Sequence, residues 1–153
     1  MSYIVRYATA GDGARINEIN RSALGYHCTL EKACSQLEKV LLRPTDRVFV
    51  VCDESDTSKS KAVGFLHAAD YETIHAGSMK NIISLAVDDA YQGQGLGRLL
   101  LNAVEAWALD DQCEAVRLVS SFSRVKAHAF YQHCGYSLRK EQKNFIKYLH
   151  RVS

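Results

Sequence analysis

The sequence predicts an α/β (α+β) domain built on one mixed sheet, and three observations carry that prediction. Short β-rich apolar runs alternate along the chain with amphipathic segments of helical period. The run Asn81 to Val87 is almost continuously apolar, as a central strand is, and it leads into a turn with glycines at 93, 95 and 97 where an amphipathic helix begins. The 153 residues hold a single proline, Pro44, and no repeat or low-complexity stretch, so 1–153 is expected to be one domain.

Each element follows from its pattern. Tyr3 to Ala8 is the first strand candidate, and Thr9 to Gly13 leads into a helix with Ile16, Ile19 and Ala23 on one face. A second helix carries Leu30, Ala33, Leu37 and Leu41, with Thr29 as its N-cap and Lys32 where a capping box would have Glu. Arg47 to Cys52 and Ala62 to Ala69 read as two strands joined by the polar hairpin loop Asp53 to Lys61. After the strand Asn81 to Val87, the stripe Leu96, Leu100, Ala103 and Trp107 predicts a helix ending near Asp110. Ala115 to Val119 is a further buried strand, and Val125 to His133 a helix closed by Gly135 as its C′ residue. Tyr136 to Arg139 and Asn144 to Leu149 complete the strand candidates. The order amounts to about seven strands and about four helices.

Composition narrows the function classes. A formal charge of +2 is close to balance, so it argues for neither a nucleic-acid footprint nor a membrane surface. A nucleic-acid-binding role would rest only on Arg117, Arg124, Lys126 and Arg139 to Lys143, which read instead as a solvated face plus cofactor contacts. No apolar run approaches the ~20 residues of a membrane span, and Met1 to Arg6 lacks the plan of a signal peptide. Cys28, Cys34, Cys52, Cys113 and Cys134 are odd in number, scattered and without a Cys-x-x-Cys pair, which points to reduced thiols in the cytoplasm. No metal site is expected, because His128 and His133 are five apart and diverge on a helix.

The stretch with most chemical content is Gln92-Gly93-Gln94-Gly95-Leu96-Gly97-Arg98. Glycine admits positive φ and a close ligand, and successive N–H groups at a helix start attract anions. A phosphate or pyrophosphate suits such a turn, with Arg98 adding a charge-assisted contact. The P-loop pattern is absent. The dinucleotide fingerprint fails, because Arg98 stands at its third glycine, although Glu114 lies at the spacing of a ribose-binding acid.

Gln92-x-x-Gly95-x-Gly97, between a strand and a helix, resembles the acetyl-CoA pyrophosphate motif of the GNAT acetyltransferase superfamily. The later segment Arg124 to Tyr136 resembles that superfamily's Asn-x-x-Ala-x-x-Phe-Tyr-x-x-x-Gly-Phe/Tyr at Ala127, Phe130, Tyr131, Gly135 and Tyr136, with Arg124 in the place of Asn. The close match covers about residues 80 to 137. The resemblance implies a GNAT-like fold with a mostly antiparallel sheet and an acetyl-CoA-dependent N-acetyltransferase acting on a primary amine. It further implies that the strand Asn81 to Val87 splays from Ala115 to Val119, and that the pantetheine arm enters that gap. Leu85 and Val87 would meet the arm through main-chain groups, the Val87 N–H receiving the developing oxyanion. Gln92, Gly93, Gln94, Gly95, Leu96, Gly97 and Arg98 would hold the pyrophosphate. Ser123, Ser121 or Arg124 would supply the contact usually made by the missing Asn.

The resemblance also makes Tyr131 the acid that protonates the departing thiolate, the alternative being a core aromatic. Glu72 is the first candidate for base or amine-binding acid and Asp70, His67 and His75 are weaker ones, the alternative for each being an ordinary surface or loop residue; Asp88 and Asp89 read as turn residues and Cys134 as a packed thiol. Tyr26, His27, Tyr71, Glu72 and His75 suggest a ring- and acid-lined entrance suited to a small cationic amine. A protein N-terminus or lysine is the alternative acceptor, and a catalytically inactive acetyl-CoA-binding module the alternative of another class. Homodimers are common in the family and are one expectation here.

Overall fold

The computed structural model describes residues 2–55 and 61–150, which cluster in two compact units, one up to Val119 and one from Ser120 on. The first contains β1 (Tyr3–Tyr7), α1 (Gly13–Leu24), α2 (Leu30–Leu41), β2 (Asp46–Asp53), β3 (Ala62–Tyr71), β4 (Met79–Val87), α3 (Leu96–Asp110) and β5 (Ala115–Leu118). The second contains α4 (Val125–His133).

The strands of the first unit lie in the order β1-β2-β3-β4-β5. The three pairings from β1 to β4 are antiparallel, and β4 pairs with β5 in parallel. The parallel step has a plain cause: α3 lies between these strands in sequence, and a crossover helix returns the chain to the end where it began. Residues 56–60 of the expected hairpin loop lie outside the described residues, but the antiparallel β2–β3 pair is the hairpin that the two apolar runs predict.

Side-chain alternation loads both sheet faces. Val48, Val50, Cys52, Phe65 and Ala86 share a core with Ile19 of α1 and Leu37 of α2. Phe49 lies between Val48 and Val50 in sequence, so it points to the other face, where it meets Trp107 of α3 edge-on at 6.5 Å. Thr29 caps α2 as expected, accepting from the Lys32 N–H at 3.2 Å. A capping residue the sequence reading passed over is Asp12, which accepts from the Thr9 N–H at 2.7 Å and grips Arg6 with both oxygens.

In the second unit α4 ends in a Schellman motif. Gly135 (φ 94°) donates to the Gln132 carbonyl at 3.1 Å and Tyr136 to the Tyr131 carbonyl at 2.9 Å, while the Tyr131 and Tyr136 rings meet at 6.0 Å. The expected strands Tyr136 to Arg139 and Asn144 to Leu149 do not form, so the sheet has five strands and not about seven. The physical reason is pairing: Leu138, Phe145, Ile146, Tyr148 and Leu149 are all exposed, and strand propensity is realised only against a neighbouring strand and a buried face.

Candidate active site

The glycine turn joins β4 to α3. Asp88 starts a short 3-10 turn, Asp89–Tyr91, by accepting from the Ala90 N–H at 3.0 Å, and its other oxygen takes Arg15 of α1 at 2.6 Å. That hydrogen bond to Arg15 holds the Asp88 carboxyl below the ordinary carboxylate range. Gln92 turns its amide back to the Val87 carbonyl (3.3 Å) and to Asp89 (3.1 Å), and Gln94 accepts from the Tyr3 hydroxyl. The glutamine side chains therefore fasten the turn to the protein, and the group left for a ligand is backbone.

Gly93 and Gly95 have φ of 81° and 80°, and a Cβ built on either meets no atom within 4 Å. Both the conformation and the open space ask for glycine. Gly95 is the N-cap of α3 and offers no side chain to its first N–H groups, so the positive end of that helix is open to an anion.

β4 supplies the second part. Its parallel pairing with β5 runs from Met79↔Ala115 to Ile82↔Leu118 and stops there. On the other side β4 stays paired with β3 through Val87↔Gly64, with a bulge that leaves Ile83 as the extra residue. The orientation of the free groups follows from one bond: the Asp88 N–H donates to the Val63 carbonyl of β3 at 2.8 Å. Main-chain groups alternate sides along a strand, so those of Val87 and Leu85 point away from β3, along the edge of β4 that has no β5 partner past Ile82. Leu85 and Val87 lie on this open edge of the β4–β5 fork, Leu85 nearer to the end of the β4–β5 pairing.

The remaining expected residues lie elsewhere. Tyr131 belongs to the unit from Ser120 on, where it is 8% exposed, flanked by Phe130 and Tyr136, and anchored through its carbonyl by the Schellman motif. Burial pushes its hydroxyl pKa up, Arg124 offsetting part of the rise, so the phenol is held in its proton-bearing form. In the same unit Ser121 accepts from Arg124 N–H and from His128 Nε2, and the Ser123 carbonyl accepts from Val125 N–H. Glu72 is exposed and bonded to the Ser78 hydroxyl at 3.0 Å. It follows Tyr71, which pairs with Met79, the first residue of β4. Strands rise ~3.3 Å per residue, so Met79 and Val87 stand roughly 26 Å apart, and the structure does not bring Glu72 to the Val87 amide.

Two clusters have partners that spacing does not name. His67 of β3, a weaker base candidate from sequence, bonds Asp46 of β2 through Nε2 at 2.8 Å, with its side chain only 18% exposed. Asp70, read in the same way, pairs with Lys80, which also takes Asp111 at the end of α3 and lies 3.9 Å above the Trp107 ring. Each had a faint signal: a titratable residue inside a run whose neighbours at strand spacing are apolar, Phe65 before His67 and Ile82 after Lys80. Among the described residues no group of three or more His, Cys, Asp or Glu is placed to hold a metal, and no helix is long and apolar enough to cross a membrane.

Comparison with known proteins agrees with this architecture. A model of the acetyltransferase (GNAT) family matches residues 14–136. The chain is 27% identical over 136 residues to an aminoglycoside N(6')-acetyltransferase type 1 of Stenotrophomonas maltophilia, covering 86% of this chain and 84% of that one. An aminoglycoside 6'-N-acetyltransferase from Acinetobacter haemolyticus superposes with a TM-score of 0.79 at 15% identity, over 96% of this chain and 99% of that one. Glucosamine-6-phosphate N-acetyltransferase from Arabidopsis thaliana does so with a TM-score of 0.75 at 19% identity, over 98% and 100%. A structure described as a transcriptional regulator from Bacillus halodurans reaches 0.79 at 18% identity, over 95% and 100%; likeness at these identities speaks to the fold. With the family model spanning both the fork and the glycine turn, the chain is a member of the acetyltransferase (GNAT) family, an N-acetyltransferase.

Proposed function

We propose that this protein moves an acetyl group from acetyl-CoA, the co-substrate of its family, to a primary amine on a small molecule by direct attack on the thioester. The observation that carries the reading is the fork: pairing of β4 and β5 ends at Ile82↔Leu118, and the open edge past it leads to an uncapped helix start with two left-handed glycines. The turn fits a pyrophosphate, which backbone N–H groups can approach because no Cβ stands over Gly93 or Gly95. The open edge fits a pantetheine arm, whose amides can pair with Leu85 and Val87. The 27% identical aminoglycoside N(6')-acetyltransferase supports a small-molecule amine as acceptor.

In this reading Gly93 to Arg98 anchor the pyrophosphate. The N–H groups of Val87 and then Leu85 line the path toward the fork's closed end and receive the carbonyl oxygens that reach them, the developing oxyanion included. Tyr131 donates its proton to the departing sulfur, and Ser123 or Arg124 adds a contact to the arm. Glu72, at the far end of β4, would bind a distal cationic group of the acceptor. One domain spans 1–153 in this view.

The test is a panel of amines (kanamycin, spermidine, tyramine, lysine and a peptide with a free N-terminus) assayed for thiol release from acetyl-CoA. A small amine should outpace the peptide, and Tyr131→Phe should lower kcat by about 100-fold. Preference for the peptide would point to a protein acceptor. Acetyl-CoA binding without release on any amine would leave a binding module.

A further inference from the structure

We propose that His67 is the group that takes the proton from the attacking amine, with Asp46 holding it for that task; this rests on the acetyl-transfer reading above. The pair is assembled by the turn before β2. Pro44 is second in the four-residue turn Arg43–Asp46, which closes through the Asp46 N–H and the Arg43 carbonyl at 3.3 Å. The Asp70 N–H donates to the Thr45 carbonyl at 2.8 Å, so the turn is also clamped to β3.

Asp46 has a side chain only 3% exposed. Its Oδ1 accepts from the Thr45 hydroxyl at 2.7 Å and from Arg43 Nε at 3.1 Å, and its Oδ2 faces His67 Nε2 at 2.8 Å. Burial pushes this carboxyl up, but the Thr45 and His67 hydrogen bonds and the nearby Arg43 charge outweigh it and keep it ionised. An ionised Asp46 can only accept, so Nε2 carries the ring proton and Nδ1 is the basic atom. Nδ1 has no partner among the described residues.

Register puts this ring beside the fork. His67 lies directly opposite Ser84, and the bulge falls at the next step of the same ladder. Ser84 comes two residues after Ile82, where the parallel pairing with β5 ends. Cross-strand partners share a face, so His67, Val48 and Ser84 lie on the side that carries α1 and α2. Adjacent strands are ~4.8 Å apart, so the His67 backbone stands one strand away from Ser84, two residues past the end of the β4–β5 pairing. The cross-strand neighbours Val48 and Ser84 do not titrate at neutral pH; the charged groups at the ring are Asp46 and, behind it, Arg43.

The step balances. The amine nitrogen attacks the thioester carbon, the N–C bond forms and the C–S bond breaks. The proton shed by nitrogen goes to His67 Nδ1, directly or through one water, and Asp46 stabilises the imidazolium. The thiolate takes its proton from Tyr131, and proton exchange with solvent restores both side chains, leaving an amide and a thiol.

The test compares wild type, His67→Ala, His67→Gln and Asp46→Asn on the fastest acceptor of the amine panel, with His150→Ala, at an exposed position, as control. Both His67 variants should lose about 100-fold in kcat, with the KM for acetyl-CoA changed by less than about twofold. Added imidazole should restore part of the His67→Ala rate, which a purely structural role would not allow. Asp46→Asn should lose roughly tenfold or more, with the acid limb of its pH–rate profile displaced. A His67→Gln protein that melts with wild type and keeps its kcat overturns the proposal, as does a His67→Ala loss that imidazole cannot restore. Wild type active with unaffected variants refutes the base alone, whereas wild type inactive on every amine refutes the acetyl-transfer reading with it.

Discussion

The two halves of β4 belong to one strand and have opposite fates. From Met79 to Ile82 the strand is paired on both edges, and it buries Lys80 (2% exposed) between Asp70, Asp111 and the Trp107 ring. From Ser84 to Val87 it keeps β3 but has lost β5. The closed half is finished structure: its polar groups are paired and its lysine has two carboxylates and a ring. The open half has outward main-chain groups with no strand to meet, the Val87 carbonyl accepting from Gln92 instead, and such an edge is what a ligand with amides can complete. A fold that needed only stability would have zipped the strand to its end.

Three substitutions test this contrast, and the largest effect belongs to the closed half. Trp107→Ala removes a 5% exposed ring that carries Phe49 at 6.5 Å and Lys80 at 3.9 Å. It should cost about 3–5 kcal/mol in denaturant unfolding, while the folded fraction binds acetyl-CoA with affinity within about twofold of wild type. A strong affinity loss in that folded fraction would mean that the two halves are not separable. At the open half, Gly95→Val forces a β-branched residue to a φ of 80° and puts a side chain over the turn. Calorimetry should show affinity for acetyl-CoA weaker by about tenfold or more, roughly 1.4 kcal/mol. Unchanged affinity would remove the turn from the binding model.

The smallest effect is expected where the open half meets α1. Asp88→Asn breaks the contact with Arg15, whose Nε also holds the Ala62 carbonyl at 2.9 Å, and should cost about 1 kcal/mol or less at neutral pH. The Asp88 pKa is lowered on folding, so its contribution is complete above the unfolded carboxylate value of about 3.9 and fades as pH falls through the lower folded value. Acid unfolding curves of wild type and Asp88→Asn should therefore converge below about pH 4; a constant gap down to acid would show that the ion pair is not its source.

Much of this was legible in the chain, and the boundary of legibility has a physical form. The glycine turn, the α3 stripe, the Thr29 cap and the Gly135 stop are local: each depends on φ, on a side chain three or four residues away, or on helical period. The failed strands at 136–139 and 144–149 show the limit of the same reasoning. Their composition suits a strand, but a strand exists only with a partner, and composition does not name one. His67 and Asp46 are 21 positions apart and Lys80 and Asp111 are 31 apart, so neither pair had a spacing to read.

By itself the sequence determined the family, the glycine turn and the order of elements up to α4, because these rest on short-range geometry and on two motifs in a fixed order. Only the tertiary structure decided where β4 parts from β5, which amides face the gap, and that His67 stands beside it with Asp46 at its back. Those depend on register, and register is set by the packing of whole faces against α1, α2 and α3 rather than by any one segment.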